Sequence, residues 1–326
     1  MNIIKNKNSS GDVVDAQQVT KTFGEEVAVD SLTMQVPHGT IFGFIGPSGC
    51  GKTTTVRLMT GIYKPTSGQL TVLGKNPIDF TKSDQENIGY LIQNFVLYPE
   101  LTVWENLNFA ASFYGVTLFR QARLNKLLEF VELQEDKGKL AGALSGGMKR
   151  RLSLAATLVH NPELLFLDEP TAGIDPLLRR KFWDYFKELQ AQGRTLFVTT
   201  QYVGEAAYCD LVGVMYDGKL LMVESPEGLR RRAYGGEIVG IKTSEWIRHE
   251  NRKNLERLPF IRGKIKVISE QEIEVIVDEA STAIPEIVEA FKGEKINVET
   301  IEQISPPFDD VFVRLIETET ANVQTV

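Results

Sequence analysis

The sequence predicts an α/β chain: a mostly parallel sheet with an antiparallel β subdomain and a helical insert, then a small C-terminal α+β domain. Three observations carry this. An apolar β-type run, Thr40–Ile45, is followed by the glycine loop Gly46-Pro47-Ser48-Gly49-Cys50-Gly51-Lys52-Thr53 and then by a helical opening, Thr54–Thr60. From residue 88 to residue 200 apolar strands alternate with helical stretches, the mark of a sheet covered on both faces. After residue 237 the pattern changes to β-α-β-β-α-β, the split βαβ arrangement.

Taken in order, residues 1–12 are polar and read as a disordered leader. Val13–Ala16, Glu26–Val29 and Leu32–Val36 alternate as short antiparallel strands, with a turn at Phe23-Gly24-Glu25. Phe23, at the tip of that turn, fits equally an aromatic stacked on a base and one buried at a strand end. Lys64-Pro65-Thr66-Ser67-Gly68 is a turn before the strand Gln69–Gly74, and Ile88–Gln93 is a buried strand. From Thr102 to Val131 the apolar spacing is helical, so a helical insert is expected at about 95–160, closed by a helix from Ser145 to about His160 and stopped by Asn161-Pro162. Leu164–Asp168 is a continuous apolar strand, Pro176–Gln192 a helix, and Thr195–Thr200 the next strand. Ligands in such sheets sit beyond the carboxyl ends of the strands. That rule puts the 45–53 loop, Gln93, Asp168-Glu169 and Gln201 on one edge.

Arg230-Arg231-Arg232 and Gly235-Gly236 read as a linker with a solvated basic face. Beyond it come strand 238–243, helix 244–258, strands 261–268 and 272–278, helix 282–292 and strand 296–301. An amphipathic segment, 308–316, follows Pro306-Pro307. The expected domains are 13–232 and 237–317, with a tail at 318–326.

The chain has 326 residues, and about 150 per domain fits two domains. Its net charge of −7 argues against a nucleic-acid surface. Its two cysteines, Cys50 and Cys209, form no C-x-x-C pair, so a reducing compartment is expected. No apolar run approaches the roughly 18 residues of a membrane span; if the protein works at a membrane, another chain is expected to supply the spanning part.

The glycine loop fits G-x-x-x-x-G-K-[ST]. Gly46, Gly49 and Gly51 let the backbone N–H groups close on a polyphosphate, and the helix N-terminus adds its dipole. Lys52 is placed to reach the β/γ-phosphates and Thr53 to put its hydroxyl on Mg²⁺. Asp168, at a strand end, is suited to hold Mg²⁺ through its water shell, and Glu169 to act as general base on a water in line with the γ-phosphate. Leu144-Ser145-Gly146-Gly147-Met148 offers a second anion site at a helix N-terminus.

That last stretch resembles the LSGGQ signature of ATP-binding cassette (ABC) ATPases, P-loop NTPases, and the likeness extends over residues 13–230 in the family's order. The resemblance implies that Phe23 stacks on adenine beside Val27. It implies that Gly46 to Thr53, with Thr54 following, is the Walker A loop for ATP. Gln93 is then the Q-loop glutamine touching Mg²⁺ and the attacking water, and Asp168 and Glu169 are Walker B. Ser145, Gly146 and Gly147 then reach the γ-phosphate held by a second cassette, and Asp175, in the D-loop Ala172–Asp175, crosses that interface. A head-to-tail homodimer or heterodimer is implied. Residues 95–106 match the surface receiving a coupling helix of a transmembrane permease. The stretches Leu144–Arg151 and Gln201–Asp210 look like ATPases of bacterial ABC-2-type exporters, and the segment 306–312 is similar to the small C-terminal domain many of those carry. This places the chain in the cytoplasm, peripheral to the inner face of the cell membrane, with no nucleic-acid partner expected. Two departures stand out. Met148 replaces the signature glutamine. Gln201 occupies the position where the family has a histidine, and an amide cannot become cationic. Slow hydrolysis is therefore expected, and two other functions remain in view: a soluble ABC ATPase acting on nucleic acid or ribosomes, and a regulatory module switched by ATP with little turnover.

Overall fold

A computed structural model of the chain describes residues 11–93, 96–117 and 119–323. The start of the expected leader, residue 95 of the expected permease surface, residues 94 and 118 and the last three residues lie outside the described residues. The chain divides into two compact units, Met1–Val223 and Glu224–Val326.

In the first unit β1 (Asp12–Phe23) and β2 (Glu26–Pro37) form a long hairpin, each a single strand where shorter pieces were expected. Register shifts, with left-handed backbone at Gln18 and Ser31, let the strands continue through the polar interruptions that made them look broken. β3 (Ile41–Ile45) is wholly buried and leads through the glycine loop into α1 (Lys52–Met59). β4 (Ser67–Val72) pairs antiparallel with β1, giving a three-stranded sheet in the order β2-β1-β4. A one-turn helix α2 (Lys82–Gln85), capped by Thr81, precedes β5 (Ile88–Leu91).

The helical insert follows as α3 (Val103–Phe113), α4 (Arg120–Phe130) and α5 (Gly146–Leu158). Thr102 caps α3 in a reciprocal bond with Glu105, and Ser145 caps α5. Then come β6 (Leu164–Asp168), α6 (Pro176–Ala191) and β7 (Thr195–Thr200). β8 (Leu211–Tyr216) and β9 (Lys219–Glu224), absent from the sequence reading, complete a six-stranded sheet ordered β5-β6-β7-β3-β8-β9. The pairs β5–β6, β6–β7, β7–β3 and β3–β8 are parallel. One core joins the two sheets through α1: Phe42, Phe44, Phe166 and Phe197 meet Val14, Val36 and Leu70, with Val56 and Met59 between. Phe42 and Phe197 stack at 5.3 Å. With this core rigid, β3, β6 and β7 end side by side, and the loops leaving them share one edge.

The second unit opens earlier than expected. Residues 226–234 form α7 (Pro226–Tyr234), a helix in the second unit and not a linker in the first. Its arginines are engaged there: Arg230 lies 4.1 Å over the ring of Phe308, Arg231 pairs with Glu237, and Arg232 with Glu319 at 2.7 Å. β10 (Glu237–Thr243), α8 (His249–Glu256), β11 (Ile261–Val267), β12 (Glu272–Val277), α9 (Ala280–Gly293) and β13 (Val298–Ile304) follow. The sheet order β11-β12-β10-β13 with antiparallel pairs is that of a split βαβ unit. α8 starts five residues later than the apolar pattern indicated, because the N–H groups of Ser244 and Ile247 donate to the carbonyls of Asn297 and Glu270. α10 (Phe308–Val323) packs on α7, so residues 318–323 continue a helix where a tail was expected.

Candidate functional site

The glycine loop between β3 and α1 is shaped by what surrounds it. A Cβ on Gly46 would sit 2.2 Å from the Met215 carbonyl oxygen. Gly51 has φ of 107°, and a Cβ there would sit 2.3 Å from the Ala28 carbonyl oxygen. Both positions exclude side chains by space, and Gly51 also by conformation. Gly51 caps α1 without a side-chain bond, leaving the positive end of the helix toward the loop. Lys52 is buried, and its Nζ donates to the carbonyls of Gly46 (2.8 Å) and Pro47 (2.9 Å). The ammonium is thus parked across the loop. Cys50 is packed beneath it, and burial raises its thiol pKa.

The β6 end supplies the carboxylates. Asp168 is fully buried; its Oδ1 accepts from Thr199 (2.5 Å) and Thr53 (3.2 Å), while Oδ2 has no partner. A dry carboxylate oxygen without a donor calls for a cation. Glu169 takes left-handed backbone, φ 53°, directly before Pro170. Its N–H is held by the Thr199 carbonyl (3.0 Å) and Thr199 Oγ1 (3.1 Å), which fix this unfavourable conformation. Its side chain then faces a cavity of about 480 Å³.

That cavity gathers Phe23, Ser48, Gly49, Gly51, Lys52, Thr53, Thr54, Gln93 and Glu169. Phe23 is 43% exposed, which decides the alternative left open by the sequence: it is a rim aromatic, not a core one. Tyr63, which the sequence reading missed, sets its edge against Phe23 at 5.2 Å. Lys21 lies 5.0 Å from the Phe23 ring and 5.6 Å from that of Tyr63. Arg57 also lines the cavity and donates to the Tyr63 hydroxyl (3.0 Å). Val27 is exposed and Gln201 lies on the loop after β7; neither lines the cavity.

A second missed residue ties the edge together. Arg150, on α5, is buried, and its guanidinium donates to four carbonyls: Ile92 (2.5 Å), Gln93 (3.3 Å), Asp168, and Glu169 (2.8 Å). Burial lowers its pKa from the usual range, opposed by Asp168 and Glu169. One side chain therefore fixes the backbone of both Gln93 and Glu169.

Ser145 and Gly147 lie elsewhere. With Asp175, Gly173 and Arg151 they line a separate depression of about 150 Å³ that shares no residue with the larger cavity. Ser145 Oγ accepts from the Met148 N–H (3.3 Å), and Asp175 caps α6 through the N–H groups of Leu177 and Leu178. Met148 also lines the depression, and the hydrogen bond it makes to Ser145 comes from its backbone N–H, which a glutamine would offer equally.

A phosphate loop on a parallel sheet, a buried carboxylate lacking a donor, and a remote Ser-Gly-Gly helix start define a nucleotide-binding cassette of the phosphate-loop class. The comparisons agree: residues 29–172 match the ABC transporter family. Nod factor export ATP-binding protein I of Burkholderia pseudomallei (strain K96243) is 36% identical over 230 residues, 70% of this chain and 76% of that protein. Probable multidrug ABC transporter ATP-binding protein YbhF of Escherichia coli (strain K12) is 40% identical over 226 residues, 69% of this chain but 39% of the length of YbhF. Among solved structures, an ATP binding subunit of an ABC transporter superposes with a TM-score of 0.63 at 25% identity, covering 68% of this chain and 93% of that one. The dimeric cassette MJ0796 bound to ADP and Pi superposes at 0.60 with 26% identity, covering 65% and 98%. The chain belongs to the ABC transporter family, as an ATP-binding cassette of its ABC ATPase class.

Proposed function

We propose that this chain is the energy-coupling subunit of an exporter: ATP closes two cassettes head to tail, and the closure drives a separate transmembrane permease of ABC-2 type. The observation that carries the proposal is the division of the site. The cavity of Phe23, Lys52, Thr53, Gln93 and Glu169 holds one half, and the depression of Ser145, Gly147 and Asp175 holds the other, with no residue in common. A γ-phosphate bound at Lys52 meets Ser145 only if a second cassette brings it. The partner cassette is a second copy or a sister chain.

Phe23, with Tyr63 behind it, stacks on the adenine, and the loop N–H groups of Gly46 to Thr54 cradle the phosphates. Lys52 leaves the Gly46 and Pro47 carbonyls for the β/γ-phosphates. Thr53, Asp168 and Gln93 would hold Mg²⁺, for which the unpartnered Asp168 Oδ2 is the vacant acceptor; the ion would supply charge neutralisation at the phosphates. Glu169 orients and deprotonates the attacking water. Gln201 hydrogen-bonds a γ-phosphate oxygen as a neutral group, which makes turnover slow and leaves an ATP-switched regulatory role as the second reading.

Permease docking is assigned to the groove lined by Tyr90, Val96, Tyr98, Phe109, Phe113 and Tyr114. Val96 and Phe113 are 72% and 65% exposed, an apolar surface suited to a partner's helix. No helix among the described residues is long and apolar enough to cross a membrane. This fits a cytoplasmic cassette held peripherally on the inner face of the membrane by its permease. Export as the direction is supported by the names of the relatives, a multidrug and a Nod factor export protein.

The test has two parts. Affinity purification from detergent-solubilised native membranes is expected to bring down a polytopic protein in stoichiometric amount; a wholly soluble eluate would refute the exporter reading. Glu169→Gln is expected to lower basal ATPase about 10²- to 10⁴-fold, the range for a general base. Gln201→His is expected to raise it.

A further inference from the structure

Behind the Asp168–Glu169 edge lies a buried charge that the ATP chemistry does not use. Glu205, in the short helical turn after β7, is 3% exposed. Its Oε1 accepts from the Thr171 hydroxyl at 2.6 Å and lies 3.7 Å from Arg179 Nε, too far for a hydrogen bond. Its Oε2 and Arg179 Nε are both buried without a hydrogen-bond partner. Arg179, on α6, also donates to the Ile174 carbonyl (3.3 Å) and sets its guanidinium 4.5 Å over the Tyr202 ring. Thr171 precedes the Ala172–Asp175 loop, Ile174 belongs to it, and Tyr202 follows Gln201.

We propose that Arg179 and Glu205 are positioning residues that lock the Asp175 loop to the Gln201 loop, so that the element reaching the partner cassette and the element sensing the γ-phosphate move together. This deepens the reading of Gln201 and Asp175 given above and rests on it. The groups present support two arrangements. In the structure described, Arg179 and Glu205 stand one hydrogen bond apart, with an unpaired donor and an unpaired acceptor left dry. A shift of under 1 Å brings Arg179 Nε within hydrogen-bond distance of Glu205 Oε1 and satisfies the dry donor, so the pair has a looser and a tighter arrangement. A partner cassette pressing on the Asp175 loop supplies such a shift, and the stacked Tyr202 passes it to Gln201. Thr171, bonded to the same carboxylate, keeps Glu205 in register with the strand end that carries Glu169.

The test uses the full-length protein. Glu205→Gln keeps size and can still accept from Thr171, but removes the charge. It is expected to lower kcat about tenfold, with ATP affinity within twofold of the parent and the thermal midpoint within a few degrees. The Hill coefficient for ATP is expected to fall toward one, because the Asp175 loop no longer reports across the pair. Arg179→Gln should behave alike, and Arg179→Gln/Glu205→Gln should be no slower than the slower single variant. Independent, multiplying losses in the double variant would overturn the proposal. So would a fall in kcat matched by an equal loss of ATP affinity and of thermal stability, the signature of a merely structural role. Gln201→Ala run in parallel separates the two readings. Slowed turnover there with Glu205→Gln unaltered overturns the pair alone; unaltered turnover in Gln201→Ala overturns the sensor assignment and the pair's role with it.

Discussion

Replacing Arg150 by methionine tests whether one guanidinium organises the catalytic edge. The side chain donates to the carbonyls of Ile92, Gln93, Asp168 and Glu169. Gln93 and Glu169 line the open cavity, so water can reach their carbonyls once the arginine is gone. Ile92 is half-buried and lines the neighbouring groove, so its carbonyl is also within reach of water. The Asp168 carbonyl, on a fully buried residue, gains no such replacement, and a buried acceptor left unpaired costs about 1–3 kcal/mol. That one acceptor costs about 2 kcal/mol, and relief of the buried charge, which burial already disfavours, returns about 1 kcal/mol. A net loss of about 1 kcal/mol should lower the melting midpoint by about 2–4 °C in a unit of this size. The functional effect is larger than stability alone requires. The Gln93 and Glu169 backbones lose their common tether while the phosphate loop keeps all of its own bonds. ATPase kcat is therefore expected to fall at least about tenfold with ATP affinity within about threefold of the parent, the split that marks an interaction used in the transition state. Differential scanning fluorimetry, nucleotide titration and phosphate release at saturating ATP measure the three quantities. An unlowered midpoint, or affinity falling in step with kcat, would refute the reasoning.

Gly51→Ala places a methyl 2.3 Å from the Ala28 carbonyl at a φ of 107°, so the loop must move; ATP affinity is expected to drop about 100-fold by nucleotide titration, and unchanged affinity would show that the loop is not the phosphate cradle. Phe23→Ala is expected to weaken ATP about 5- to 10-fold, the worth of one aromatic stacking contact, and to leave inorganic triphosphate binding unchanged in competition assays. Burial pushes the thiols of Cys50 and Cys209 above their ordinary range, so less thiolate is present at neutral pH than in an exposed cysteine. Reaction of the native protein with a disulfide reagent at pH 7.5 should be slow at both positions and rise with pH through pH 9; fast labelling at neutral pH would contradict the burial.

What the sequence made legible are features whose chemistry is local. Gly46 to Thr53 declare themselves because only glycine tolerates the contacts with Met215 and Ala28, and Ser145 because a cap must sit where the N–H groups of α5 lack partners. Asp168 stands at the end of a short unbroken apolar run between Pro162 and Pro170, a length and punctuation that favour a buried strand over a helix. The pieces that stayed hidden depend on neighbours distant in the chain. Nothing in the local pattern separates Arg150 from Lys149 or Arg151; only the carbonyls of Ile92 and Asp168, distant in the chain, show that it turns inward. Tyr63 joins Phe23 because β1 and the end of α1 meet in space. The β8–β9 hairpin was a different kind of miss. Its signals were present, the apolar run Leu211–Tyr216 followed by Asp217-Gly218, yet β8 pairs directly with β3 and helps fix where the phosphate loop starts.

The buried charges explain how so exposed an edge keeps its geometry. Gln93 and Glu169 stand where a ligand must enter, so apolar packing cannot hold them without filling the cavity. Backbone carbonyls can be held from behind, and a buried arginine does that for both at once. Because Arg150 sits on α5, whose first turn forms the depression at Ser145, anything that seats on that depression presses on the helix that fixes Gln93 and Glu169. The depression at Ser145 and the cavity at Lys52 are thus parts of one mechanical body, although they share no lining residue. Under the head-to-tail pairing proposed above, a cassette alone would bind its nucleotide, while the arrangement of its catalytic groups would depend on the position of a helix that the partner's nucleotide contacts.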